Sequence, residues 1–148
     1  MEKVVLDTNI LLQIIPSSSD FHYIWLKINK GELAVCVTTE ILYEYEEILS
    51  QRMPKELVSK IISLILDNPH TIRVSEYVRW GVVLSDVDDN KFVDCAVASG
   101  AKVLVSDDKH LRVLKEKWKP LVDLKTLQEY HKYLQSKIRS ISGTRRKL

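Results

Sequence analysis

Carboxylates recur along this chain at places where the local pattern could bring them together. Asp7 ends a short apolar run, Lys3-Val4-Val5-Leu6, and begins the oxygen-rich triplet Asp7-Thr8-Asn9. Glu44 sits at the edge of the apolar stripe formed by Ile41, Leu42, Tyr45, Ile48 and Leu49, where it can reach inward; Glu40 is a weaker second choice. Asp89 closes the acidic segment Ser85-Asp86-Val87-Asp88-Asp89-Asn90, and Asp94 follows within Phe92 to Ala98, a stretch apolar almost all round. Asp107 and Asp108 follow the apolar run Val103-Leu104-Val105 and Ser106. Carboxylates that converge repel one another, and without a cation their pKa values rise until some hold protons. No arginine or lysine stands within these motifs to pair them, although Lys91 and Lys109 adjoin them. A hard divalent cation held by oxygen, Mg²⁺ or Mn²⁺, is the economical remedy. A cleft lined by such groups suits phosphodiester chemistry. Each acid also has a plainer role, Asp7, Asp89 and Asp107 or Asp108 as helix caps and Glu44 as a solvated helix residue. That alternative is poorest for Asp94, because a charge in a helix without a polar face needs a partner.

The elements that must position these acids can be read from hydrophobic spacing. A wholly apolar run such as Val4–Leu6 indicates a strand buried on both faces, and Leu33–Val37 and Val103–Val105 repeat the pattern. A short third strand is predicted over 71–74 and an edge strand near 121–122. Helical spacing is seen at Phe21, Ile24, Trp25 and Ile28, through the Glu44 stripe, and at Leu57, Val58, Ile61, Ile62 and Ile65. Further helices are predicted over 91–99, 109–117 and 124–138, with Gly100 ending the first of them. Strands alternating with helices indicate an α/β fold with a mostly parallel sheet covered on both faces. In such sheets functional groups gather past the carboxyl ends of the strands, which is where Asp7 and Asp108 fall.

The 148 residues, 45% hydrophobic and 28% charged, suit one soluble domain with a sizeable core. No apolar run approaches the roughly 20 residues of a membrane span. A strand begins at once where a secretory signal would show a charged-then-apolar pattern, so the expectation is a cytoplasmic protein. Cys36 and Cys95 are expected to be buried and reduced, because neither has the spacing of a metal site. Net charge is +2, but Lys132, Lys137, Arg139, Arg145, Arg146 and Lys147 follow the last acid, Glu129. Without those six, 16 bases face 20 acids. The expected organisation is therefore a domain over 1–138 and a basic, flexible tail over 139–148. That tail could hold a polyanion or simply be a solvated terminus.

Asp7-Thr8-Asn9 after the first strand, Glu44 in its Glu-Tyr-Glu-Glu-Ile-Leu helix, the segment from Asp86 to Asp94, and Leu104-Val-Ser-Asp-Asp-Lys-His-Leu111 together resemble the PIN-domain family. The similarity spans about residues 3–125 and is greatest to the branch of toxins from toxin–antitoxin pairs. The resemblance implies a three-layer α/β/α fold around four to five strands, and a metal-dependent ribonuclease. It also implies a homodimer and a small antitoxin as partner. It places Asp7, Glu44, Asp89, Asp94 and Asp108 at the family's acidic positions, with Asp7, Asp89, Asp94 and Asp108 as metal ligands. Thr8, Asn9 and Ser106 become neutral neighbours that orient carboxylates or water. Asp107 stands where this branch often has glycine, which leaves open which of Asp107 and Asp108 contacts metal. Two rival readings remain: an inactive PIN module that binds RNA or a protein, and a structure-specific DNA nuclease. The usual helical arch of the related flap nucleases is missing from this chain, which keeps RNA ahead.

Overall fold

The computed structural model describes residues 1–75, 90–113 and 122–147. Five parallel strands form one sheet in the order β3-β2-β1-β4-β5, with β1 at Glu2–Leu6, β2 at Leu33–Val37, β3 at Ile72–Arg73, β4 at Val103–Val105 and β5 at Asp123–Lys125. Register aligns Val4 with both Val35 and Val103, and Leu6 with Val105. The central strands end almost level. Val4 to Leu6, all of β2 and all of β4 are buried, as expected of apolar strands enclosed on both faces.

Helices cover the sheet as a three-layer α/β/α sandwich. They are α1 (Thr8–Ile14), α2 (His22–Asn29), α3 (Thr39–Ser50), α4 (Lys55–Asp67), α5 (Asn90–Ser99) and α6 (Leu127–Lys147). Helix α5 packs across β1, β2 and β4, α2 on β2, and α6 on β5. Thr38 caps α3 by accepting the Ile41 amide at 3.2 Å. After α2 the chain turns through Gly31 at φ +78°, where a Cβ would lie 2.6 Å from the His70 ring. Only glycine avoids both penalties there. Phe92, Val93, Cys95 and Ala96 join the core, but Ala98 is exposed, so α5 is buried over its middle and not throughout.

Several predicted boundaries move. The third strand shortens to Ile72–Arg73, and the helix predicted over 109–117 is a 3₁₀ turn at Lys109–Val113 in its described part. The edge strand forms at Asp123–Lys125, because Leu124 is the residue that pairs with buried Leu104. The last helix starts at Leu127, where Thr126 and Glu129 cap it reciprocally: the Glu129 amide donates to Thr126 Oγ1 at 3.1 Å and the Thr126 amide to Glu129 Oε1 at 3.0 Å. Its backbone stays helical to Lys147, beyond the predicted end at 138. Both cysteines are free and buried. Burial, with Cys36 and Asp94 nearby, pushes the Cys95 thiol up to about 12; it is a protonated core group. Among the described residues no helix is long and apolar enough to cross a membrane.

Candidate active site

Chain order dictates where a site can form. From β1 the sheet is built outward to β2 and β3, and the chain then returns to lay β4 on the other side of β1. The carboxyl ends of β1 and β4 flank this reversal, the crevice in which open α/β sheets place their ligands. Asp7 is the first residue past β1 and Ser106 the first past β4. The Asp7 amide donates to the Val105 carbonyl at 3.0 Å, which fixes the two strand ends side by side. Tyr45 is fully buried in α3, and its hydroxyl donates to the Leu6 carbonyl at 2.5 Å, holding the end of β1 from the other side.

Asp7 occupies the cap position of α1 but makes no side-chain capping bond. Instead its Oδ2 accepts the Ser106 hydroxyl at 2.7 Å. Ser106 Oγ in turn accepts the Asp108 amide at 3.0 Å, which draws the loop after β4 toward Asp7. Asp7 is only 6% exposed. Burial raises its pKa most; the Ser106 hydroxyl and Thr8 amide oppose this, while the charges of Glu44 and Asp108 raise it further. Glu44 does reach inward, receiving the Thr8 hydroxyl on Oε2. Its other oxygen meets Lys91 Nζ at 2.6 Å. The expectation that no basic residue pairs these acids is therefore corrected. Lys91 reaches across from α5 to α3, a tertiary contact that spacing alone does not reveal.

Asp94 is 3% exposed and takes part in a polar or electrostatic contact. It lies three residues after Lys91, which puts both on one face of α5. Asp107 and Asp108 diverge. Asp107 accepts the Leu127 amide on Oδ1 at 3.0 Å and the Gln13 side chain on Oδ2 at 3.3 Å, so it ties the start of α6 to α1. Asp108 is the one whose charge is felt at Asp7, and its Oδ1 accepts the His110 amide at 2.8 Å. Asn9 is exposed on the first turn of α1. Asp89 lies outside the described residues.

Asp7, Thr8, Glu44, Ser106 and Asp108 are thus brought together by contacts on three elements. Lys91 and Tyr45 support them and were missed from sequence. For Lys91 the available signal was its place three residues before a buried acid. The donors are all oxygens, and burial, followed by the charges of Glu44 and Asp108, disfavours the ionised form of Asp7. Among the described residues no group of three acidic, histidine or cysteine side chains could by itself hold a metal ion. The oxygen donors are of the type that Mg²⁺ or Mn²⁺ prefers.

Two solved structures share the fold. The crystal structure of VapBC2 from Rickettsia felis bound to a DNA fragment from its promoter matches with TM-score 0.56 and 19% identity, over 84% of this chain and 98% of that one. DNA-bound VapBC from Salmonella typhimurium matches with TM-score 0.54 and 14% identity, over 85% and 98%. No curated protein sequence matches the chain. The family model for the PIN domain matches residues 3–110. With the strand order and the acidic crevice, that match identifies the chain as a member of the PIN-domain family.

Proposed function

We propose that the protein is a metal-dependent ribonuclease, hydrolysing RNA phosphodiester bonds as the toxin of a toxin–antitoxin pair. The observation that carries this reading is Asp7, a buried carboxylate at the strand reversal whose pKa is raised by burial and then by Glu44 and Asp108. Structural neighbours that are VapBC complexes support the toxin assignment. A small antitoxin, a homodimer and a cytoplasmic setting belong to the same proposal.

In this mechanism Asp7, Asp89, Asp94 and Asp108 would hold Mg²⁺ or Mn²⁺, which when bound would supply an activated water and offset charge on the scissile phosphate. Ser106 turns the Asp7 carboxylate by donating to Oδ2. Its Oγ also fixes the Asp108 amide, so one hydroxyl sets the relation of two ligands. Glu44 is held from both sides, by Thr8 and by Lys91, and orients the attacking water or shares in ligation. Tyr45 keeps the β1 terminus in place and excludes water behind it.

The test is cleavage of labelled single-stranded RNA with Mn²⁺ by wild type, Asp7→Asn and Asp94→Asn. Both variants are expected to lose activity at least a hundredfold while remaining folded; equal rates in all three overturn the site. A second reading, an inactive PIN module that binds RNA or protein, draws on the Lys91–Glu44 pair, which occupies one carboxylate with an internal cation. Tight metal and RNA binding without turnover favours that module. Cleavage confined to flap or branched DNA favours a DNA nuclease.

A further inference from the structure

A cavity of about 540 Å³ opens between α6 and the amino ends of β1 and β4, with Asp123 and Lys125 of β5 on its wall. Its mouth is at Lys3 and Lys102, near the opposite strand ends from Asp7, roughly 13 Å away at ~3.3 Å per strand residue. The volume falls within the range of about 300–1,000 Å³ typical of small-molecule sites.

The wall toward α6 is pre-organised. Tyr133 lies under two ammonium groups, Lys137 Nζ at 4.9 Å and Lys125 Nζ at 5.2 Å from its ring centroid, and stacks on Tyr130 at 6.0 Å. Lys137 also pairs with Glu2 at 2.9 Å, and Lys125 with Asp123 at 3.2 Å. Those four charges balance internally. Lys3 and Lys102 do not share in that balance: Lys3 donates to the Ser99 carbonyl at 3.1 Å, and Lys102 has no ion-pair partner among the described residues. The cavity therefore carries excess positive charge at its mouth, where Met1 adds its amino group to the two lysines. Gly100, at φ +73°, presents no side chain over Lys3 Nζ. Behind Tyr133, the Tyr130 hydroxyl is fully buried with no hydrogen-bond partner among the described residues.

We infer that this cleft binds a nucleoside monophosphate, with the phosphate between Lys3 and Lys102 and the nucleoside against Val103 and Tyr133. A dianionic phosphate suits this uncompensated positive charge. The Glu2 and Asp123 carboxylates accept from sugar hydroxyls or exocyclic amines, and the aromatic wall takes the apolar part. An inorganic anion would satisfy only the mouth. The site is separate from the acidic crevice and does not depend on hydrolysis there.

The test uses the full chain in EDTA, titrated with adenosine 5′-monophosphate by calorimetry and amide chemical-shift mapping. Submillimolar binding is expected, with shifts at residues 1–3, 100–103 and 123–137 and none at 7–9, and weakening as salt rises. Adenosine and inorganic phosphate are expected to bind at least tenfold more weakly. The exposed double substitution Lys3→Gln with Lys102→Gln should weaken binding at least tenfold without altering the melting temperature. Asp7→Asn should bind as wild type does, so failure of the ribonuclease reading leaves this result intact. Absence of binding, shifts confined to the Asp7 end, insensitivity to the lysine substitutions, or phosphate binding as tightly as the nucleotide would each overturn the inference. So would binding of a 5′-phosphorylated oligonucleotide without the mononucleotide, which assigns the surface to a strand.

Discussion

Burial works against the charge on Asp7. Its folded pKa lies above the ordinary carboxylate value, chiefly through burial and then through Glu44 and Asp108. Between the unfolded and folded values the native state holds more protons than the unfolded one, so stability falls as pH rises through that window. Above it the loss is complete. Asp7→Asn keeps an acceptor for Ser106 and removes the charge, so the metal-free variant should be more stable than wild type at pH 7. The two should converge near pH 4 in urea melts. Added Mn²⁺ should stabilise wild type alone, since a cation that binds only the folded state contributes about 2.7 kcal/mol at a hundred times its Kd. If Asp7→Asn is destabilised at pH 7 in EDTA, the carboxylate is a structural group. Lys91 gives a second test at the same scale. It competes for Glu44, so Lys91→Gln should tighten Mn²⁺ binding several-fold by calorimetry while lowering metal-free stability by about 1 kcal/mol, the ordinary worth of a charge-assisted contact that is part-buried.

At the scale of elements, the two adjacent aspartates after β4 serve different neighbours. Asp107 caps the first amide of α6 and receives Gln13; Asp108 faces Asp7. Asp107→Ala is therefore expected to cost about 1 kcal/mol of stability, as lost caps do, with RNA cleavage retained. Asp108→Ala should lose cleavage with a smaller change in melting temperature. The reverse pattern would exchange their roles. The central strands were legible because burial on both faces leaves an unbroken apolar run, as in Val35-Cys36-Val37. Strand β5 was anticipated, but about two residues early at 121–122, since Leu124 is its one apolar residue between Asp123 and Lys125. It exists because β4 offers a partner, which no local pattern records. The start of α6 was legible and overlooked: Thr126 followed three residues later by Glu129 is a capping-box signature. At the site, the acids could be named from sequence because a charge among apolar residues stands out. Lys91 and Tyr45 could not, because their roles arise only when α3, α5 and β1 meet.

For the whole molecule, the division of charge becomes a division of space. The candidate carboxylates gather at the carboxyl ends of the strands, while α6, basic in sequence toward its end, runs as one continuous helix to Lys147. Buried Leu127, Tyr130 and Leu134 anchor that helix, and Ile138 is already 40% exposed. Truncation after Ile138 should therefore leave the fold and its melting temperature nearly unchanged while removing Arg139, Arg145, Arg146 and Lys147. The effect of removing those four bases should be electrostatic. For single-stranded RNA, each neutralised phosphate contributes about 0.7 to the slope of log affinity against log salt. Full engagement of the four would make the slope of the full-length chain steeper by about 3 than that of the truncated one. The rate of cleavage at saturating RNA should be equal in both, because the removed residues include none of the candidate carboxylates. An unchanged slope would leave the end of α6 as a solvated extension; an unchanged slope with a large loss of cleavage would mean that the helix shapes the crevice itself.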